Sequence, residues 1–135
     1  MKIYQSKVSK ISGRKYIDVE RAARQIHKDI SSRTKRSPYI KSTYFDGSKI
    51  FIDLFWTHLN QKPRADRKRR LKYYATAIDL LKNSKVKPIE KPNPNGKNEL
   101  VYRFYGITKD GELYFVQVKQ DAKGNKYFMS VFSPK

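Results

Sequence analysis

The stretch LVYRFYGITKDGELYFVQVKQDAKGNKYFMSVF, residues 100–132, decides the fold. Three runs rich in Val, Tyr and Phe, at Leu100–Ile107, Leu113–Gln120 and Tyr127–Phe132, are separated by Lys109-Asp110-Gly111 and Ala122-Lys123-Gly124-Asn125. β-Branched and aromatic side chains suit a pleated strand, and Gly beside Asp or Asn supplies the positive φ angles of a tight turn. The stretch therefore reads as a three-stranded antiparallel meander. A first loop of three residues, with Gly111 left-handed, pairs Phe104 with Val116, Tyr102 with Val118 and Arg103 with Gln117. A second loop of four residues pairs Val116 with Val131, Val118 with Met129 and Gln117 with Ser130.

Side chains alternate between the two faces of a strand, so this register sorts the sheet. Tyr102, Phe104, Val116, Val118, Met129 and Val131 share one face, which is apolar and suited to packing under helices. The opposite face carries Val101, Arg103 and Tyr105, then Phe115, Gln117 and Lys119, then Phe128, Ser130 and Phe132. Aromatic rings interleaved with Arg103, Gln117, Lys119 and Ser130 make that face suitable for stacking and hydrogen-bonding nucleotides. On spacing alone it is equally compatible with an ordinary exposed sheet face.

Upstream, Pro63 suits the first turn of a helix over about 63–83, with Leu71, Tyr74, Ala75, Ile78 and Leu81 on one stripe. The remaining faces of its first half carry Arg64, Arg67, Lys68, Arg69, Arg70 and Lys72. So many like charges repel one another, with only Asp66 to offset them, and a polyanion contact is the expectation. The segment 85–98, with Pro88, Pro92 and Pro94, reads as loop, and Val86–Ile89 as an edge strand within it. Nearer the start, Ile17, Ala22, Ala23, Ile26 and Ile30 fit a helix over about 18–31 with Asp18 as N-cap. Tyr39–Phe45 and Lys49–Leu54 form a hairpin about Asp46-Gly47, and Leu54–Leu59 reads as either strand or helix.

The chain has 135 residues and 31 Lys and Arg against 12 Asp and Glu, a net charge of +19. Solubility asks for a magnitude of only about 2–8 in a small domain, and the surplus points to a phosphate backbone. Ten Tyr, seven Phe and one Trp argue against disorder and for one modest core. Residues 1–62 hold 14 basic and 5 acidic groups (net +9), residues 63–98 hold 11 and 3 (net +8), and residues 99–135 hold 6 and 4 (net +2). The charge flanks the sheet rather than covering it. The division is a basic region over 1–62, with a helix and a hairpin, followed by a basic helix and sheet over 63–135, all in one domain.

The chain has no Cys and only two His, which exclude thiolate zinc sites and disulfides; the expectation is no cofactor, and chemistry that either needs no metal or borrows one through carboxylates. No glycine-rich phosphate loop is present. No run approaches the ~20 apolar residues of a membrane span and Lys2–Arg14 lacks a leader's apolar core, so a cytoplasmic protein with no membrane partner is expected. His58 and His27 are the side chains that titrate near neutrality; His27 lies within a helix, and His58 is the better general base. RNA is cut without metal when its 2′-hydroxyl attacks the adjacent phosphate, a step needing a base, an acid and Arg or Lys to stabilise the phosphorane. Arg103 and Lys119 suit the last task, and Tyr105 suits stacking or proton donation.

The order of helix, basic helix, Pro/Asn-rich loop and meander resembles small nucleases of the barnase–EndoU–colicin–RelE superfamily, in its phage and mobile-element branch. The likeness rests on Asp66–Tyr74, Asn93-Pro94-Asn95, Val101–Phe104, Tyr114–Lys119 and Tyr127–Phe132, and it covers residues 63–133; residues 1–62 lie outside it. It implies an α+β fold, with helices on one face of an antiparallel sheet and catalytic groups on the other. It also implies a metal-independent endoribonuclease of toxin type, for which an immunity or antitoxin protein is a candidate partner. Arg103, Gln117, Lys119, Ser130 and His58 are then the candidate catalytic residues. Arg64, Arg67, Lys68, Arg69, Arg70, Lys72, Tyr105 and Phe128 are the candidate RNA-binding ones. The alternatives are a DNA- or RNA-binding protein without catalysis, and a mobile-element inhibitor of a host nucleic-acid enzyme.

Overall fold

Gly111, at φ 93°, closes the first loop of the meander, and Thr108 N–H donates to the Glu112 carbonyl at 2.8 Å across it. The computed structural model describes residues 2–134. Strands β5 (Leu100–Ile107) and β6 (Leu113–Gln120) pair as the glycine turn dictates, Tyr102 with Val118, Arg103 with Gln117 and Phe104 with Val116.

The second loop departs from expectation. Asp121 N–H donates to the Asn125 carbonyl at 2.9 Å, so the turn closes over Ala122, Lys123 and Gly124, one residue fewer than the spacing suggests. Asp121 Oδ1 also accepts from the N–H groups of Lys123 and Asn125 and holds this tighter turn. A bulge absorbs the extra residue. In β7 (Lys126–Phe132), Gln117 still faces Ser130 and Val116 still faces Val131, but Val118 faces Phe128. Met129 is therefore turned off the apolar face and Phe128 onto it, the reverse of the predicted sorting. Phe128 is fully buried, its ring stacked 4.7 Å from Phe55, so its assignment to RNA binding is corrected.

The sheet is mixed rather than a meander alone. Its strand order is β1-β5-β6-β7-β3-β2, with β4 also on β5. Here β1 is Tyr4–Gln5, β2 Tyr39–Ser42, β3 Ser48–Phe51 and β4 Ile89–Pro92. β1 lies parallel to β5, and β3 parallel to β7. β4 pairs antiparallel with the first half of β5 and begins at Ile89, where the expected edge strand ended. The β2–β3 hairpin forms about Asp46 and Gly47, both at positive φ.

Among the described residues there are four helices, α1 (Tyr16–Ser31), α2 (Asp53–Leu59), α3 (Arg64–Leu71) and α4 (Tyr74–Asn83). α1 starts two residues before Asp18, which lies in the first turn, where its charge complements the helix dipole. That start leaves Ile17 54% exposed and turns Val19, Ala23 and Ile30 inward. The segment expected as one helix over 63–83 is broken at Lys72-Tyr73. The Lys72 carbonyl released by the break accepts from Ile11 N–H at 2.8 Å, which fastens the N-terminal arm. Phe55, Tyr74 and Phe128 form an aromatic centre, and Tyr114 reaches from β6 to donate to the Thr76 carbonyl of α4. Gly106 makes that approach possible, since a Cβ there would sit 2.5 Å from Tyr114 Cζ and 2.8 Å from Leu80 Cδ1.

Candidate active site

The face of the meander turned away from this core carries Arg103 and Tyr105 on β5, Gln117 and Lys119 on β6, and Ser130 and Phe132 on β7. α2 brings His58 to the same place. Phe55, Trp56 and Leu59 of that short helix are buried, which fixes its rotation and leaves His58 half-exposed on its flank. The carboxylate of Asp53, in its first turn, accepts a hydrogen bond from His27 Nε2 at 2.9 Å. His27 is thereby occupied at the far end of α2 and takes no part in the site.

Two hollows of about 480 and 290 Å³ adjoin on this face. His58, Gln117 and Met129 line both. Arg103, Tyr105 and Lys119 line the larger, together with the Asn93-Pro94-Asn95 loop, and Arg70 and Ser130 line the smaller. The bulge places Met129 at the junction, in keeping with the tendency of bulges to sit beside functional sites.

The cations are held in place. Arg103 donates through Nε and Nη2 to Gln117 Oε1, at 3.3 and 2.9 Å. Its guanidinium lies 5.4 Å from the Phe132 ring centre, and that of Arg70 lies 5.6 Å from the same ring. Phe132 thus gathers two guanidiniums by cation–π attraction. Arg70 is also anchored by Asp66 at 3.2 Å, and Lys119 Nζ lies 3.6 Å from Glu99 Oε1. Burial, followed by the ammonium groups of Lys62 and Lys119, pushes the His58 imidazole below its ordinary pKa. It is neutral at pH 7 and able to accept a proton.

The basic helix does not present one continuous patch. Arg64 and Arg67 turn toward α1 and lie 4.3 and 5.5 Å from the Tyr16 ring, while Lys68 donates to the Arg14 carbonyl. Lys72 is half-buried at the helix break. Arg69 is exposed, and Arg70 alone of the run lines the hollows under the sheet face.

Sequence reasoning did not mark Lys62, Met129 or Glu99, nor the participation of Arg70 in the cleft itself. The Asn93-Pro94-Asn95 stretch, which entered the sequence reading only through the family resemblance, forms the cleft's far wall. Among the described residues no group of three or more His, Asp or Glu side chains is placed to hold a metal ion, and no helix is long and apolar enough to cross a membrane. Comparison with protein-family models, with curated proteins and with solved structures finds no match.

Proposed function

We propose that this protein is a metal-independent endoribonuclease of the barnase–EndoU–colicin–RelE type, with helices on one face of its sheet and RNA bound on the other. The observation that carries the reading is the convergence of a neutral imidazole, His58, with two guanidiniums, Arg70 and Arg103, about adjoining hollows on one sheet face. In the proposed reaction His58 takes the proton of the 2′-hydroxyl, whose oxygen bonds to phosphorus. The bond from phosphorus to the 5′-oxygen breaks, and that oxygen takes a proton from Tyr105 or from water. Arg103 and Arg70 stabilise the dianionic phosphorane, a role in which loss of one preorganised donor typically costs about 10²–10³ in rate. Gln117 positions Arg103, and Ser130 supplies a hydroxyl to the substrate phosphate.

Binding without cleavage is the second reading. It is favoured by the net charge of +19, which attracts a phosphate backbone whether or not any bond is cut. Single-stranded RNA incubated with the protein in EDTA separates the two. The nuclease reading expects fragments ending in a 2′,3′-cyclic phosphate, whereas intact RNA retarded on a gel contradicts cleavage and supports binding alone.

A further inference from the structure

The outer face of the sheet does not stop at the cleft. Lys119 faces Tyr127 across β6 and β7, Tyr127 faces Phe51 across β7 and β3, and Phe51 faces Tyr39 across β3 and β2. Residues paired in register share a face, so a row of three aromatic rings leads from the cleft across the N-terminal hairpin. Ring centres lie 5.8 Å apart for Phe51 and Tyr127, and 6.2 Å for Phe51 and Tyr39. All three rings are half-exposed, and Tyr127 is pinned by donating its hydroxyl to Asp121 at 3.1 Å. From β6 to β2 the row covers about 14 Å at the usual strand spacing of ~4.8 Å.

Two lysines flank the row. Lys41 and Lys49 stand directly opposite each other in the β2–β3 ladder, on the same outer face as Tyr39 and Phe51. Like charges in that position destabilise a hairpin. Among the described residues neither ammonium meets a carboxylate, and Lys49 lies 4.6 Å from the Tyr39 ring centre. Rings that accept bases of any sequence, edged by unpaired cations, are the elements of a single-strand track.

We propose that the β2–β3 hairpin is a second, sequence-tolerant binding platform for single-stranded RNA, on which the bases flanking the cleft stack over Tyr127, Phe51 and Tyr39 while Lys41 and Lys49 hold the phosphates. The platform rests on the RNA reading of the cleft but needs no cleavage. It gives residues 1–62, which lie outside the nuclease resemblance, a task in substrate binding. It also restricts the substrate, because paired bases cannot open onto the rings.

The test measures binding of 2′-O-methylated RNA, which the proposed chemistry cannot cut, to the full chain. Oligonucleotides of roughly nine and roughly three nucleotides, and a duplex of the longer one, are compared. In the Lys41→Gln/Lys49→Gln variant, which relieves a repulsion and is expected to fold, affinity for the longer strand falls about 10-fold at 0.15 M salt. The slope of log K against log salt flattens by roughly 1.4, at about 0.7 per lost contact. Tyr39→Leu weakens the longer strand about 5-fold or more through lost stacking. Both variants bind the short strand as the parent does. Unchanged affinity for the longer strand, equal weakening of the short one, or equal loss with the duplex overturns the platform. Loss of RNA cleavage with this length dependence intact would instead remove only the nuclease reading.

Discussion

His58 governs the rate in this account, because only its neutral form can accept the 2′-hydroxyl proton. Burial and the two neighbouring ammonium groups hold its pKa below 6.5. The kcat/KM for single-stranded RNA should therefore rise with pH through a point below 6.5 and then level off. A rise centred above that value would contradict the assignment. His58→Ala should lower kcat by about 10²–10⁴ and remove the rise. Arg103 and Gln117 were legible on one face in the sequence, because period-two alternation and Gly111 fix them together; Ser130 reaches the expected place only because the bulge in β7 offsets the shorter loop. His58 was harder to place, since a short apolar run such as Leu54–Leu59 suits strand and helix equally. Arg70 was harder still. In a helix whose exposed positions are nearly all Arg or Lys, composition does not distinguish the residue facing the cleft from those facing α1.

Among the elements, β7 shows how a small choice in a turn redirects a site. Asp121 closes the turn one residue early, and the bulge at Met129 then restores the register of Ser130 and Val131. The spacing suggested a loop of four residues, and the decision for three lies in hydrogen bonds from backbone N–H groups to the Asp121 carboxylate. Deleting Met129 should leave the pairings of Gln117 with Ser130 and Val118 with Phe128 intact as a regular ladder. The variant is expected to unfold cooperatively at a temperature close to the parent's. Its kcat/KM should fall by about 10–100-fold, because the junction of the two hollows is reshaped. Paired melting and cleavage assays check this, and a variant that melts normally and cuts normally would remove Met129 from the site. The break at Lys72-Tyr73 follows a similar logic, since the carbonyl it frees is taken by Ile11, a partner too distant in sequence to be read locally.

For the molecule as a whole, the α+β class and the central meander were legible in the sequence, and the mixed character of the sheet was not. β1 on β5 and β3 on β7 are parallel pairings between segments far apart in the chain, and such contacts leave no local pattern. β1 is held there by Asp79 of α4. Its carboxylate accepts from Tyr4 Oη at 2.9 Å, Ser6 Oγ at 2.6 Å, Lys7 N–H at 3.2 Å and Asn83 Nδ2 at 2.9 Å. Burial alone would raise its pKa, but these bonds outweigh burial and hold it below the usual carboxylate range. The group stabilises the fold fully above its unfolded pKa of about 3.9, and the benefit is lost as pH falls through the lower folded value. Asp79→Asn should therefore cost about 1–2 kcal/mol in urea unfolding at neutral pH, with the difference shrinking in acid. A cost that is the same at both pH values would show that charge plays no part.

Grip and chemistry are divided in the proposed account: most of the surplus of Lys and Arg lies before residue 99, while Arg103, on the nearly neutral C-terminal meander, is proposed to act on the phosphate with His58 and Arg70. The most direct test of that division measures cleavage of single-stranded RNA and binding of its 2′-O-methylated counterpart by Arg103→Ala beside the parent. The account predicts cleavage reduced by at least about 10²-fold, with affinity changed by no more than a few-fold. Cleavage undiminished in Arg103→Ala, or lost only in proportion to binding, would contradict it.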